Sequence, residues 1–152
     1  MGSARISGTD PTRAERSLVQ PPLLLDTHAW VWWASGSREL PASVGRQIQA
    51  AFAEARLWVS SISAWEVALL VQCGRLVLRL SVREWVARSE ALSGLQFMPV
   101  DKAIGLRAVE LTGLRSDPAD RLIVATAERL GAALVTRDER LHGYTGIATL
   151  WS

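Results

Sequence analysis

Four acidic residues occupy positions where strands of a parallel sheet would end and the following helices would begin. They are Asp26, Glu66, Asp120 and Asp138. Because the carboxyl ends of parallel strands share one edge of a sheet, these four carboxylates can meet there. Carboxylate oxygens are the ligands that hard divalent cations such as Mg²⁺ and Mn²⁺ prefer. A cation held in this way can activate water and stabilise a leaving oxygen, which suits phosphoryl transfer.

Each acid, taken alone, also has a purely structural explanation. Asp26 can cap the helix that follows it, and Glu66 can complete a capping box that begins at Ser63. Asp117 can likewise cap a helix that has Pro118 in its first turn. Yet two carboxylates about 4 Å apart repel by about 4 kcal/mol at an effective dielectric constant of about 20, so a group of them requires a cation. The same repulsion should raise the pKa of at least one carboxyl group.

The remaining composition restricts which cation could bind. The chain has one cysteine, Cys73, and its two histidines, His28 and His142, lack the spacing of zinc ligands. We therefore expect Cys73 to be a small buried apolar residue and His28 to be a polar residue at a helix start. A single cysteine excludes an internal disulfide and fits a reducing compartment such as the cytoplasm.

Short apolar runs alternate along the chain with segments of helical periodicity. The runs predict strands at residues 23–25, 57–59, 97–100, 133–135 and 147–150. Helices are predicted at residues 28–34, 43–55, 63–73, 81–92, 102–111 and 118–130. This alternation indicates the α/β class, as a three-layer α/β/α fold around a short parallel sheet of four or five strands.

The size and charge of the chain narrow the class of protein further. Its 152 residues suffice for one domain, and we expect a flexible tail at residues 1–21 and the domain at residues 22–152. The net charge is +2, so bulk charge alone does not predict a nucleic-acid partner. The sequence has no apolar run of transmembrane length and no signal-peptide core near its start. These features favour a cytoplasmic protein with no membrane partner.

Four short motifs occur in order along the chain. They are LLLDTH at 23–28, SSISAWE at 60–66, DPADRLIVATA at 117–127 and LVTRD at 134–138. This ordered set resembles the PIN-domain ribonucleases, in particular the VapC-type toxins of bacterial toxin–antitoxin pairs. The resemblance covers residues 22–152, and its strength comes from the order of the motifs, since each is weakly specific alone.

The resemblance implies Mg²⁺- or Mn²⁺-dependent cleavage of RNA that leaves a 5′-phosphate and a 3′-hydroxyl. The family's four acids map onto Asp26, Glu66, Asp120 and Asp138. We expect Asp26 and Asp120 to be the main metal ligands and Glu66 to bind the metal directly or through water. Asp138 would complete the cluster.

Other residues of these motifs extend the comparison. Asp117 and Thr136 match positions that assist the metal ligands in the family. Many relatives carry a histidine where this chain has Arg115, which is a departure from the pattern. The implied partners are an RNA substrate, a small VapB-like antitoxin that lies over the acidic cleft, and a second copy of the chain.

Several arginines lie close to the four acids in sequence. They are Arg115, Arg121, Arg137 and Arg140. Their guanidinium groups could contact the phosphates of RNA, with Arg121 and Arg137 as the main candidates. The alternative is that each is solvated or forms a simple ion pair with a neighbouring acid.

Tryptophan is also frequent, and Trp30, Trp32 and Trp33 crowd one short helix. Most of them are expected in the core, as are Trp58 and Trp65, because aromatic rings bury a large area. Neighbouring helix positions cannot all share one face, so at least one of the three must point outward. An outward indole could stack on an unpaired base or meet a protein partner.

Two other functions are compatible with the same residues. The fold could keep its acids as helix caps and serve as a non-catalytic protein-binding module. It could also be a DNA-directed nuclease. The presence of all four acids favours the ribonuclease, while the RNA target and the number of metal ions, one or two, stay open.

Overall fold

The computed structural model describes residues 20–114 and 116–152, and these residues form five strands and seven helices. Strands β1 to β5 span Leu23–Leu25, Leu57–Ser60, Leu95–Met98, Ala133–Val135 and Thr149–Leu150. Helices α1 to α7 span Thr27–Ser35, Ala42–Ala53, Ser61–Gln72, Val82–Glu90, Lys102–Glu110, Pro118–Leu130 and Glu139–His142. None of these helices combines the length and apolar character needed to cross a bilayer. Of the predicted tail, residues 1–19 lie outside the described residues.

The five strands form one parallel sheet in the order β3-β2-β1-β4-β5. The central strand β1 aligns Leu25 with Val59 of β2 on one side and with Val135 of β4 on the other. The chain first winds from β1 towards β3 and then crosses back to β4, so the direction of winding reverses between β1 and β4. Binding sites of open parallel sheets form at the carboxyl ends of the strands beside such a reversal. The predicted parallel sheet is confirmed, and this edge is where a site is expected.

Helices cover both faces of the sheet. Leu23 and Leu25 face a core that they share with helices α1 to α4, whereas Leu24 faces a second core that contains residues of α5 and α6. All three leucines of β1 are therefore buried, which explains why this strand is a continuous apolar run. The predicted three-layer α/β/α fold is confirmed.

Local sequence fixes the helix that carries the third acid. Helix α6 begins after Asp117, whose side chain caps it, and Pro118 occupies its first turn. It ends at Gly131, which adopts a left-handed conformation with φ of 63° and donates its N–H to the last turn. These strong start and stop signals explain why the predicted bounds of 118–130 match the structure.

The start of α3 differs from the prediction. Its cap is Ser60, whose hydroxyl accepts the Ile62 N–H at 3.2 Å, so the helix begins at Ser61. The capping box predicted from Ser63 to Glu66 is therefore wrong. Glu66 lies in the second turn of the helix, where the backbone N–H groups already donate to carbonyls of the first turn. Its carboxylate therefore has no capping role.

Two side chains predicted to be buried lie at the surface, both on α3 or at its end. Trp65 is 54% exposed, and Cys73 is exposed at the C-cap of the helix. The sequence of α3 is apolar on most sides, so its pattern does not indicate which face packs inward. In the structure, only Ser63 and Val67 of this helix are fully buried. Trp58 is partly buried against the second core.

Trp30 provides a test of the first core. Its buried ring packs against Trp85 at 4.5 Å and Phe97 at 5.5 Å between centroids, and its Nε1–H donates to the Ser89 hydroxyl at 3.3 Å. Trp30→Ala should lower the free energy of unfolding by about 3–5 kcal/mol because it leaves a cavity. Trp65→Ala, the matched surface truncation, should cost about 1 kcal/mol or less. Urea unfolding followed by circular dichroism measures both, and equal losses would contradict this packing.

Candidate active site

Asp26 stands at the reversal point of the sheet. It directly follows β1, and its backbone N–H donates to the Val135 carbonyl of β4 at 3.1 Å. One carboxylate oxygen caps helix α1 by accepting the Ala29 N–H at 2.8 Å. The nearby Thr136 hydroxyl opposes the rise in the pKa of this carboxyl that burial causes. Asp26 is therefore a helix cap and a cleft residue at once, and backbone and side-chain contacts fix its position.

Two more acids come from the start of α6. The Asp117 carboxylate accepts the Asp120 N–H at 2.8 Å and so caps the helix. Asp120 follows in the first turn, and no backbone donor binds its carboxylate in the described structure. Its side chain is free to face the cleft, where 19% of its surface stays accessible. The helix start thus separates Asp117, which caps the helix, from Asp120, whose carboxylate is not used in capping and lines the cleft.

The fourth acid follows β4. Thr136 is completely buried, and its hydroxyl oxygen accepts the Asp138 N–H at 3.1 Å. The Asp138 carboxylate accepts the Arg140 N–H at 3.0 Å and caps the short helix α7. Thr136 therefore fixes the backbone of Asp138 at the end of β4.

Glu66 reaches the same region from α3. The buried Thr27 hydroxyl donates to Glu66 Oε1 at 2.5 Å and lies 2.9 Å from the Ser63 hydroxyl. Because Thr27 directly follows Asp26, this contact ties the carboxylate of Glu66 to the end of β1.

These side chains line a single cleft of about 370 Å³. It is bounded by Asp26, Thr27, His28, Trp32, Glu66, Asp117, Asp120, Ile123, Arg137, Asp138 and Arg140. The structure therefore brings together all four acids predicted from the sequence, and Asp117 with them. The sequence did not indicate that His28 and Trp32 share this cleft. Their spacing of four residues, on a helix that Asp26 caps, is the signal from which a position beside Asp26 could have been predicted.

The electrostatics of the cleft follow from burial and crowding of like charges. Burial raises the pKa of Asp120 to about 7, with further increases from Asp117, Glu66 and Asp138, while Arg140 opposes the shift. Burial also raises the pKa of Asp26 and of Glu66, against the hydrogen bonds that they accept. The raised carboxyl pKa expected from the sequence is thus found, although burial contributes more than the repulsion that suggested it.

Arg140 supplies a cation inside the acidic cleft. Its Nη2 lies 2.6 Å from Asp138 Oδ2 and 3.5 Å from Asp120 Oδ2. The hydrogen bonds from Arg140 hold the pKa of Asp138 below its usual range. The arrangement matches the predicted alternative of an ion pair with neighbouring acids.

The donor set of the cleft suits a hard divalent cation, but its present spacing does not. Carboxylates and a threonine hydroxyl are the oxygen ligands that Mg²⁺ and Mn²⁺ take. Among residues 20–114 and 116–152, however, no three His, Cys, Asp or Glu side chains lie close enough together to hold one ion. Arg140 occupies the space between Asp120 and Asp138, and Glu66 is turned to Thr27. The residues therefore fit the ion chemically, while in the present arrangement Arg140 neutralises two of them.

The other arginines divide into two groups. The Arg137 guanidinium lines the cleft, pairs with Glu39 at 2.7 Å and lies 5.7 Å from the centre of the Trp32 ring. Arg121 does not line the cleft, which argues against the phosphate contact predicted for it. Its guanidinium donates to the carbonyls of Ala108, Val109, Leu111 and Leu114 and so ties down the segment between α5 and α6. Arg115 lies outside the described residues.

Comparison with known proteins gives consistent results at three levels. Residues 23–146 match the PIN domain family. Ribonuclease VapC22 of Mycobacterium tuberculosis is 33% identical over 132 residues, covering 85% of this chain and 98% of the relative. Among solved structures, DNA-bound VapBC from Salmonella typhimurium matches with a TM-score of 0.62 at 18% identity, covering 86% of this chain and 98% of that one. VapBC2 from Rickettsia felis, bound to a DNA fragment from their promoter, matches with a TM-score of 0.63, the same identity and the same coverage. At such low identity the two structures establish the fold alone.

The raised pKa of Asp120 predicts a pH-dependent effect of Asp120→Asn. Its carboxyl has a pKa of about 7 when folded, against 3.8 ordinarily, so ionisation destabilises the metal-free fold. The penalty is fully present above pH 7 and disappears as the pH falls towards 4. After allowance for solvent screening, Asp120→Asn should stabilise the protein by about 1–2 kcal/mol at pH 8 and by about zero near pH 4.5.

Urea unfolding in EDTA at the two pH values measures this effect. Glu90→Gln, which neutralises an exposed carboxylate outside the cleft, is the control and should show no comparable gain at pH 8. A loss of stability with Asp120→Asn at both pH values would contradict the electrostatic description of the cleft.

Proposed function

The chain belongs to the PIN-domain family, and from this we propose that it is a Mg²⁺- or Mn²⁺-dependent endoribonuclease that acts as the toxin of a toxin–antitoxin pair. The observation that carries the proposal is the convergence of four acids from four segments in one cleft at the reversal point of the sheet. RNA as the substrate is supported by the relative named Ribonuclease VapC22.

The reaction is hydrolysis of a phosphodiester. A water oxygen forms a bond to phosphorus, the bond from phosphorus to the 3′-oxygen breaks, and that oxygen takes up a proton. The products are a 5′-phosphate and a 3′-hydroxyl. A bound divalent cation would supply activation of the water and stabilisation of the leaving oxygen.

The chain's own residues prepare the cleft for this reaction. Asp26 and Asp120 would be the main metal ligands, with Glu66 and Asp138 completing the set. The Ala29 N–H fixes the orientation of Asp26, and Thr27 fixes that of Glu66. With a pKa of about 7, Asp120 holds a proton for part of the time at neutral pH, and it must lose this proton before it can act as a ligand.

Two arginines that line the cleft are available to bind the phosphates of the substrate. Arg137 and Arg140 are each 59% exposed, so both guanidinium groups can reach a bound polyanion. Arg140, once displaced from Asp120 and Asp138, is available to neutralise a phosphate beside the cleaved bond. The small net charge of the chain makes such local contacts more important than a general basic surface.

The proposed regulation is by a small VapB-like antitoxin that covers the cleft, together with assembly of the toxin as a homodimer. One solved structure with the same fold is named as a toxin–antitoxin complex from Klebsiella pneumoniae, and two others are named as VapBC bound to DNA. An antitoxin arginine or lysine directed at the carboxylates would compensate the repulsion that Arg140 now compensates in part.

Cleavage of RNA should depend on the metal ion and on Asp26. The antitoxin-free protein should cut a pool of cellular RNA in Mg²⁺ or Mn²⁺ and should not cut it in EDTA. Asp26→Asn should reduce the rate by more than about 100-fold because a metal ligand loses its charge. Asparagine caps helices as well as aspartate does, so the fold should survive.

Single-stranded DNA is assayed beside RNA, with Glu90→Gln as the control variant expected to cleave normally. Equal cleavage by the wild type and Asp26→Asn, or cleavage that persists in EDTA, would refute the proposed site. Preferential cutting of DNA would replace the ribonuclease with a DNA-directed nuclease. Metal binding without any cleavage would instead favour a non-catalytic module.

A divalent cation should also stabilise the fold, because the cleft exists only in the folded chain. At about 100 times its dissociation constant, Mn²⁺ should add about 2.7 kcal/mol and raise Tm by several degrees. The rise should be much smaller in Asp120→Asn. Differential scanning calorimetry with and without Mn²⁺ measures both, and an unchanged wild-type Tm at millimolar Mn²⁺ would contradict the metal site.

A further inference from the structure

The cleft has an aromatic end that the hydrolytic chemistry does not use. We infer that Trp32 is a stacking platform for one unpaired nucleobase of the RNA, next to the phosphodiester that the carboxylates cleave. The inference rests on the proposed ribonuclease function and adds to it a subsite for the base.

One face of the first two turns of helix α1 borders the cleft. Asp26 caps this helix, and His28 and Trp32 follow at a spacing of four residues, which places them on one face. The ring centroids of His28 and Trp32 lie 5.5 Å apart, and both rings line the cleft with the carboxylates. A nucleotide whose phosphate reaches the acids would therefore have its base beside these rings.

Trp32 differs from the other two tryptophans of α1. Trp30 is completely buried, and Trp33 packs against Phe52 at 5.3 Å as part of the first core. Trp32 is only partly buried, and it contacts Trp151 at 5.8 Å between ring centroids. An indole that borders an open, charged cleft gains less from burial than one in the core. Stacking with a base would cover the remaining apolar surface.

The charges around Trp32 match a nucleotide. The Arg137 guanidinium lies over the Trp32 ring at 5.7 Å and is held by Glu39 in an exposed ion pair. Exposed ion pairs contribute little to stability, so a phosphate can replace Glu39 at small cost. Sites for single-stranded nucleic acid combine an aromatic face for the base with a cation for the backbone. The cleft volume of about 370 Å³ falls in the range of small-ligand sites.

The test measures binding of a single-stranded RNA oligonucleotide that spans the cleavage point identified by the assay above. All proteins carry Asp26→Asn so that the RNA stays intact, and fluorescence anisotropy reports Kd. Trp32→Ala should weaken binding by about 5- to 150-fold, the range for loss of one stacked base. Trp32→Phe keeps an aromatic face and should retain most of the affinity. Trp65→Ala removes an exposed indole outside the cleft and should change Kd by less than about twofold.

A second measurement identifies the stacked base without depending on the stability of the variants. A series of the same RNA carries one abasic nucleotide at each position in turn. For the chain with native Trp32, one position next to the cleaved bond should weaken binding most. With that oligonucleotide, the difference between Trp32 and Trp32→Ala should disappear, because the variant has no base contact left to lose.

The outcomes separate this inference from the proposed function. If the wild type shows no metal-dependent cleavage of RNA, the proposed function fails and the base subsite fails with it. If the wild type cleaves RNA but Trp32→Ala binds like Trp65→Ala, or every abasic position weakens binding equally, only the base subsite is refuted. Trp32→Ala that binds RNA normally but loses affinity for the antitoxin would make this face a protein interface and would also refute the subsite.

Discussion

The enclosure of several carboxylates in one cleft is the constraint around which this structure is organised. The parallel sheet brings the ends of its central strands to one edge, and the acids that follow them must then share one cleft. Enclosure makes this costly, because a buried carboxylate is hard to ionise and its neighbours make ionisation harder. The fold compensates by giving most of these acids a donor of their own. The donors are the Ala29 N–H for Asp26, Thr27 for Glu66, the Asp120 N–H for Asp117 and Arg140 for Asp138.

Arg140 shows how the metal-free cleft accommodates the remaining charge. A guanidinium that bridges Asp120 and Asp138 provides a cation that the cluster needs, and it occupies the position between these two carboxylates. Its ion pairs are exposed and therefore weak, so they can be exchanged for stronger contacts at little cost. The same side chain can thus support the folded state without a metal ion and leave the cleft available to one.

The sequence predicted the fold well where local signals agree with the tertiary structure. Strand β1 and helix α6 have the predicted bounds, because a three-leucine run in one case and Asp117, Pro118 and Gly131 in the other leave few alternatives. The prediction failed where local signals compete. Three serines near the start of α3 can each cap a helix, and the apolar sequence of α3 does not distinguish its buried face, so Trp65 was misplaced. The bridge from Arg140 to Asp120 and the approach of Arg137 to Trp32 depend on packing between distant segments, which one sequence does not reveal.

The opposition between helix caps and functional acids, which the sequence suggests, does not hold in the structure. A carboxylate has two oxygens, so Asp26 and Asp138 can cap a helix and still face the cleft. Capping fixes these groups through the backbone and partly compensates their charge. Asp120 receives no backbone donor in the described structure, and its carboxyl has the pKa of about 7. The least compensated acid is therefore the one most ready to exchange a proton for a cation. The start of α6 leaves it in this state, because the N-cap Asp117 accepts the free Asp120 N–H and the Asp120 carboxylate takes no part in capping.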